Sequence, residues 1–164
     1  DVIRAFSCYQ RFCNPKSRLI LVGSWSGAES YYRRLCRYTA ALQAENVLFT
    51  GHIPFPDILA YYHVADLFLC MSEHEGFCVP LVEAMYFGVP ILAYRACAVP
   101  DTLGDSGILL DKKDPMETAM VADRILTDTS LRRELVARQR RRQQDSSYGA
   151  VRALLESQLR EFLK

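Results

Sequence analysis

The chain has 164 residues, half of them apolar, which is enough for one domain with a core of its own and too few for two ordinary ones. Twenty Lys and Arg against nineteen Asp and Glu leave a formal charge of +1, a balance that argues against a nucleic-acid partner or a strongly acidic substrate. The six cysteines (Cys8, Cys13, Cys36, Cys70, Cys78 and Cys97) include no C-x-x-C pair, and Cys70 lies in an apolar run, so free thiols in a reducing compartment are expected.

The opening residues 1–6 read as mid-helix, as though the chain began inside a larger protein. Apolar, β-branched runs then predict strands at Leu19–Val22 and at residues 47–49, 67–70, 91–93 and 108–110. Helical length or spacing falls at residues 28–44, 56–63, 80–87 and 115–128, several with Pro near the first turn, where its missing N–H costs nothing. Residues 131–164 read as helix throughout. Arg132, Arg133, Arg138, Arg140, Arg141 and Arg142 make that stretch basic, as a solvated helix face or, alternatively, a face for an anionic membrane surface. No apolar run approaches the roughly 20 residues that span a bilayer, and the start lacks a signal-peptide pattern. The expected location is the cytoplasm, with peripheral contact to the inner face of the membrane as the basic-face alternative.

Strands and helices alternating at this spacing predict an α/β fold, a Rossmann-like doubly wound parallel sheet with right-handed crossovers. Its ligand belongs at the carboxyl ends of the strands, which directs attention to residues 23–27, 51–54 and 72–83. The last of these carries two carboxylates, Glu75 and Glu83, the first in a loop with Gly76 and the second inside a helix starting near Val79 or Pro80. Free amides at such a helix start suit phosphate oxygens, and the two acids suit sugar and ribose hydroxyls. The same spacing also arises in ordinary turn and helix chemistry, and Glu83 reads equally as a solvated helix residue.

The residues around the two acids resemble the Glu-x7-Glu motif of family 4 of the retaining GT-B glycosyltransferases, Ser-x-x-Glu-Gly-Phe-Gly-x-Pro-x-x-Glu-Ala-Met followed by Gly-x-Pro. Ser72, Glu75, Gly76, Phe77, Pro80, Glu83, Ala84, Met85, Gly88 and Pro90 match it. The flanks at residues 19–23, 46–53, 61–66 and 104–109 resemble the family as well. The resemblance implies the C-terminal half of a GT-B fold, with a donor-binding domain over residues 1–142. A helix over residues 143–164 would pack on it or towards an N-terminal acceptor domain. It implies transfer of a sugar from a UDP- or GDP-linked donor with retention of anomeric configuration, without cofactor or metal, in polysaccharide or glycolipid synthesis. Glu75 is then the candidate catalytic residue, touching donor-sugar hydroxyls. The amides of Phe77, Cys78 and Val79 would lie at the sugar or pyrophosphate, Glu83 at the ribose, and Gly51, His52 and Ile53 at the base, with Gly23, Ser72 and Gly76 also among the donor- or nucleotide-binding residues.

Three departures from the family pattern bear on the site. Cys78 replaces a usual Gly, so the backbone there must accept a side chain. The first glycine loop, Gly23-Ser24-Trp25-Ser26-Gly27, is wider than usual, and Trp25 reads as a cap on the sheet. The family's phosphate-clamping Arg and Lys belong to a segment that precedes these residues, so the isolated chain is expected to transfer little sugar. No Asp-x-Asp pair is present, and His52, His63 and His74 lack ligand spacing and read as ordinary residues. The rival reading is a non-catalytic module with a degenerate donor pocket that acts through partner contacts.

Overall fold

The computed structural model describes residues 1–163; Lys164, the last residue of the predicted helical tail, lies outside them. The elements run α1 (Val2–Phe12), β1 (Leu19–Val22), α2 (Glu29–Ala41), β2 (Val47–Gly51), α3 (Phe55–Val64), β3 (Phe68–Cys70), α4 (Val79–Tyr86), β4 (Ile91–Tyr94), α5 (Val99–Leu103), β5 (Ile108–Leu110), α6 (Pro115–Thr127), α7 (Thr129–Asp145) and α8 (Tyr148–Phe162). All five predicted strands are present, and every ladder between them is parallel. The Rossmann-like α/β reading holds.

β4 is the centre of the core. Its residues Ile91, Leu92 and Ala93 are fully buried because alternate side chains meet different helical layers. Ile91 and Ala93 pack with Leu81, Ala84 and Met85 of α4 and Val99 and Leu103 of α5. Leu92 packs with Ala122 and Ile125 of α6 and Leu135 of α7. A continuous apolar run is the pattern that two covered faces require.

The ladder is divided. β1 pairs with β2, β4 lies between β3 and β5, and among the described residues no ladder joins β1 to β3. A cavity of about 450 Å³ lies between these two groups, lined by Leu21, Tyr31 and Leu35 on one side and Phe68 to Ser72 on the other.

Three local expectations are corrected. The helix predicted over residues 28–44 stops at Ala41, and Gln43 and Asn46 take left-handed backbone before β2. The tail is two helices, broken at Ser146 and Ser147, where Ser147 Oγ accepts from the Ala150 N–H at 3.3 Å and caps α8. The basic run is only partly a solvated face. Arg142 donates to the Asp101 carbonyl and, at 3.1 Å, to the Thr102 carbonyl, satisfying acceptors at the end of α5. Gln139 beside it is fully buried and donates to the Val89 carbonyl at 2.8 Å, which docks α7 behind β4. No helix among the described residues is long and apolar enough to cross a membrane.

At the carboxyl end of β1 and β2, Gly23 and Gly51 bridge each other, and Gly51 has φ +71°. The Trp25 ring covers this bridge and stacks on Tyr32 at 4.2 Å, so Trp25 does cap the sheet. A Cβ at Gly51 would stand 2.8 Å from the Trp25 ring. Gly51→Ala combines left-handed strain with displacement of the indole and should lower stability by roughly 2 kcal/mol. A urea midpoint equal to that of the parent chain would refute this account of the bridge.

Candidate functional site

The loop from β3 to α4 is built against α5. Cys97 Sγ donates to the Glu73 carbonyl at 3.2 Å, the Ala98 N–H to the Glu75 carbonyl at 3.3 Å, and Thr102 Oγ1 to the Phe77 carbonyl at 2.6 Å. In a trans peptide the N–H points opposite to the carbonyl. The N–H groups of His74, Gly76 and Cys78 are therefore aimed away from α5, and those of Gly76, Phe77, Cys78 and Val79 have no acceptor among the described residues. The outward amides of Gly76 and Cys78, with the unpartnered N–H groups of Phe77 and Val79 at the start of α4, form a patch suited to an anion.

α5 is the element that the spacing of the residues did not predict. Five residues are too few to show a helical period, although Pro100 in the first turn was an available signal. Together with the turn before it, which contributes Cys97 and Ala98, α5 presents hydrogen-bond donors to the loop, Thr102 from the helix itself.

Cys78 is the hinge between loop and helix. It caps the N-terminus of α4 with φ +63° and ψ +64°, the left-handed region in which glycine is at ease. The departure from glycine thus falls where the backbone is least tolerant of a side chain. The thiol is buried with Cys70 Sγ 3.9 Å away. Burial, then the neighbouring Cys70 and the Glu75 carboxylate, push the Cys78 thiol up from its ordinary 9.0 to about 12.

The two acids are placed differently. Glu75 is half-buried and lines the cavity between the strand groups, together with Ser72, Cys78 and Pro80. Glu83 sits in the second turn of α4 and accepts the Tyr62 hydroxyl at 3.0 Å; that hydroxyl also lies 3.3 Å from the Pro80 carbonyl. Burial and then the bond to Glu83 raise the Tyr62 phenol above its ordinary value, so it remains a donor at neutral pH. Tyr62 is buried, stacked on Phe87 at 5.5 Å, and no sequence pattern marks it as part of the site. Its partner lies 21 positions away, beyond the reach of any local pattern.

The remaining expected residues divide into those exposed and those tied elsewhere. Phe77 and Val79 expose their side chains, so any contact they make to a phosphate is through the backbone. Gly23 and Gly51 are brought together, while His52, exposed, and Ile53, half-buried, follow β2 and do not line the cavity. Lys113 donates to Glu73 at 2.8 Å and lies 4.6 Å from the Tyr94 ring centroid. That bond, and then the charge of Lys113, hold the Glu73 carboxyl below its usual range. Arg95 is paired with Asp111 at 2.6 Å. Lys113 thus fastens the start of the loop, while Arg95 is taken up by an exposed pair with Asp111.

Two outcomes follow for Cys78. Cys78→Gly and Cys78→Ala both remove the thiol, but only Gly relieves the left-handed strain, so Gly should be the more stable by about 1 kcal/mol, against the usual preference for Ala. Equal urea midpoints would contradict the strained cap. The raised thiol also sets a pH dependence. Above the ordinary value of 9.0 the unfolded chain gives up the Cys78 proton while the folded chain keeps it until about 12. Stability should therefore decline as pH rises across that window, and the decline should be shallower in Cys78→Gly.

Residues 1–142 match the profile of the family described as glycosyl transferases group 1. The chain is 32% identical over 96 residues to the serotype-specific mannosyltransferase WbdA of Escherichia coli, covering 58% of this chain and 12% of that protein. It is 32% identical over 143 residues to N-acetyl-alpha-D-glucosaminyl L-malate synthase of Bacillus anthracis, covering 85% of this chain and 35% of that protein. In fold it resembles Anabaena Alr3699/HepE, solved in complex with UDP and glucose, with TM-score 0.79 and 24% identity, over 99% of this chain and 44% of that one. The chain thus spans less than half the length of each of these proteins. The matched stretch contains both carboxylates, the outward amides of the loop and the α5 residues that hold it, and on that match the chain belongs to the glycosyl transferases group 1 family.

Proposed function

We propose that these residues form the donor-binding half of an enzyme that moves a sugar from a UDP- or GDP-linked donor to an acceptor with retention of anomeric configuration. The observation that carries the reading is the loop from Glu73 to Cys78, whose carbonyls are turned into α5 so that its amides face outward beside Glu75. Breaking the bond between the anomeric carbon and the diphosphate oxygen gathers negative charge on the leaving group. Amides held in place before the reaction stabilise that charge without reorganising, and the α4 dipole adds to their effect.

Glu75, at the cavity, would accept hydroxyls of the donor sugar. Glu83 would accept the two hydroxyls of the ribose. With one lone pair of Oε2 taken by Tyr62, its remaining acceptor sites suffice for a diol, and Tyr62 keeps the carboxylate from rotating away. His52 and Ile53, which follow Gly51, would lie against the base. Neither acid is cast as a glycosidase acid or base. That a fold neighbour was solved with UDP and glucose makes UDP the first nucleotide to try.

The acceptor half would approach α8. This helix buries none of its residues and exposes Val151, Leu154, Leu155, Leu159 and Phe162, an apolar set awaiting a partner surface.

Ligand-observed NMR with UDP, GDP and ADP tests the assignment. One nucleotide should bind selectively. Glu83→Ala should weaken it by tenfold or more, about 1.4 kcal/mol. Tyr62→Phe, which removes one hydrogen bond, should cost about 1 kcal/mol. Unchanged affinity in Glu83→Ala would remove Glu83 from the ribose, and a full-length protein that binds none of the three nucleotides would sink the donor reading itself.

A further inference from the structure

Beside the loop, two buried thiols and a carboxylate converge. Cys70 ends β3, Cys78 caps α4, and Glu75 lies in the loop between them; one donor atom from each falls within 4.8 Å of the others. All three line the cavity between the strand groups. We propose that Cys70, Glu75 and Cys78 form a binding site for a thiophilic divalent cation, with Zn²⁺ the best fit.

Two thiolates at about 2.3 Å from a tetrahedral Zn²⁺ lie about 3.8 Å apart. Cys70 and Cys78 hold their sulfurs 3.9 Å apart, so they need almost no movement to ligate. A disulfide from the same pair would require closure to about 2.05 Å, a far larger displacement inside a packed core. The carboxylate must come closer, to about 3.6 Å from each sulfur in that geometry, which asks for a closing of up to about 1.2 Å by a half-buried side chain next to Gly76.

Ligand chemistry narrows the cation. Two sulfurs and one carboxylate suit Zn²⁺ and disfavour the oxygen-seeking Mg²⁺ and Ca²⁺. Three protein ligands leave a fourth tetrahedral position, and the cavity gives it room for water or a small ligand. Binding replaces two S–H bonds by two metal–thiolate bonds and releases both protons to solvent. Occupancy would also draw Glu75 away from a sugar; that consequence, unlike the site itself, rests on the donor role proposed above.

Nothing in the spacing announces the site. Seven residues separate Cys70 from Cys78, and the left-handed turn at Cys78 sends the chain back so that its sulfur reaches the end of β3.

Co²⁺ is the probe, added to a chain in which Cys8, Cys13, Cys36 and Cys97 are replaced by Ser so that only the two proposed thiols remain. One Co²⁺ per chain should bind, with a thiolate-to-cobalt charge-transfer band in the near ultraviolet that Zn²⁺ abolishes by displacement. Cys70→Ser and Cys78→Ser should each lower that band, and the double variant should lack it. Glu75→Gln should keep the band while weakening Co²⁺ affinity by at least about tenfold. Absence of the band in a variant with the parent's circular dichroism, or its persistence without both thiols, overturns the proposal. Should the four-serine variant fail to fold, alkylation of the parent chain decides the matter. Zn²⁺ should slow alkylation of Cys70 and Cys78 in mild urea and leave exposed Cys97 unaffected; equal slowing of all three, or of none, overturns the proposal.

Discussion

Three carbonyl oxygens in the loop after β3, those of Glu73, Glu75 and Phe77, are held from behind by donors of α5 and the turn leading into it. Because each peptide is planar, tying down the carbonyl also aims the N–H of the next residue. A loop that would otherwise sample many orientations becomes a fixed patch of outward amides next to a helix N-terminus. Everything assigned to the site depends on that restraint, since free amides have electrostatic value only when they need not reorganise.

The restraint reaches well beyond the loop. α5 is itself held at its far end by Arg142 of α7, which bonds the carbonyls of Asp101 and Thr102. α7 in turn is docked through buried Gln139 onto the Val89 carbonyl beside β4. Lys113, following β5, fastens the start of the loop through Glu73. β4, buried from Ile91 to Ala93, thus supports, through two helices, a site made of exposed backbone. This arrangement explains why parts of a basic stretch that reads as solvated surface are engaged with carbonyl oxygens, and why Lys113 is occupied at the loop.

Cys78 shows a tension within the same design. Its backbone turn is one that glycine makes without strain, yet a thiol stands there, buried against Cys70 and close to Glu75. Left-handed strain at a non-glycine residue persists only when the surroundings over-determine it. Here the surroundings are the Phe77 carbonyl held by Thr102 on one side and the start of α4 on the other. The thiol is also what makes the loop a place where two sulfurs and a carboxylate meet.

Much of the fold was legible in the residues alone. Continuous apolar runs located all five strands; in β4 both faces are covered and Ile91, Leu92 and Ala93 must all be apolar, whereas β1 and β2 carry apolar runs that leave Val22 and Leu48 exposed, and the spacing of residues 72–90 marked the loop and helix that carry the two acids. Short or broken helices were harder: α5 lacks the length to show a period, and the break at Ser146 and Ser147 lies between two stretches that are each helical in composition. By itself the sequence determined the five strands and the longer helices, their order and the chemical types offered at the strand ends, since these follow from periodicity and local backbone preference. Only the tertiary structure decided that Tyr62 holds Glu83, that α5 turns the loop amides outward, that a cavity parts the two strand groups and that Cys70 meets Cys78. Those facts join residues far apart in the chain, and packing selects such partners by shape, with no trace left in local spacing.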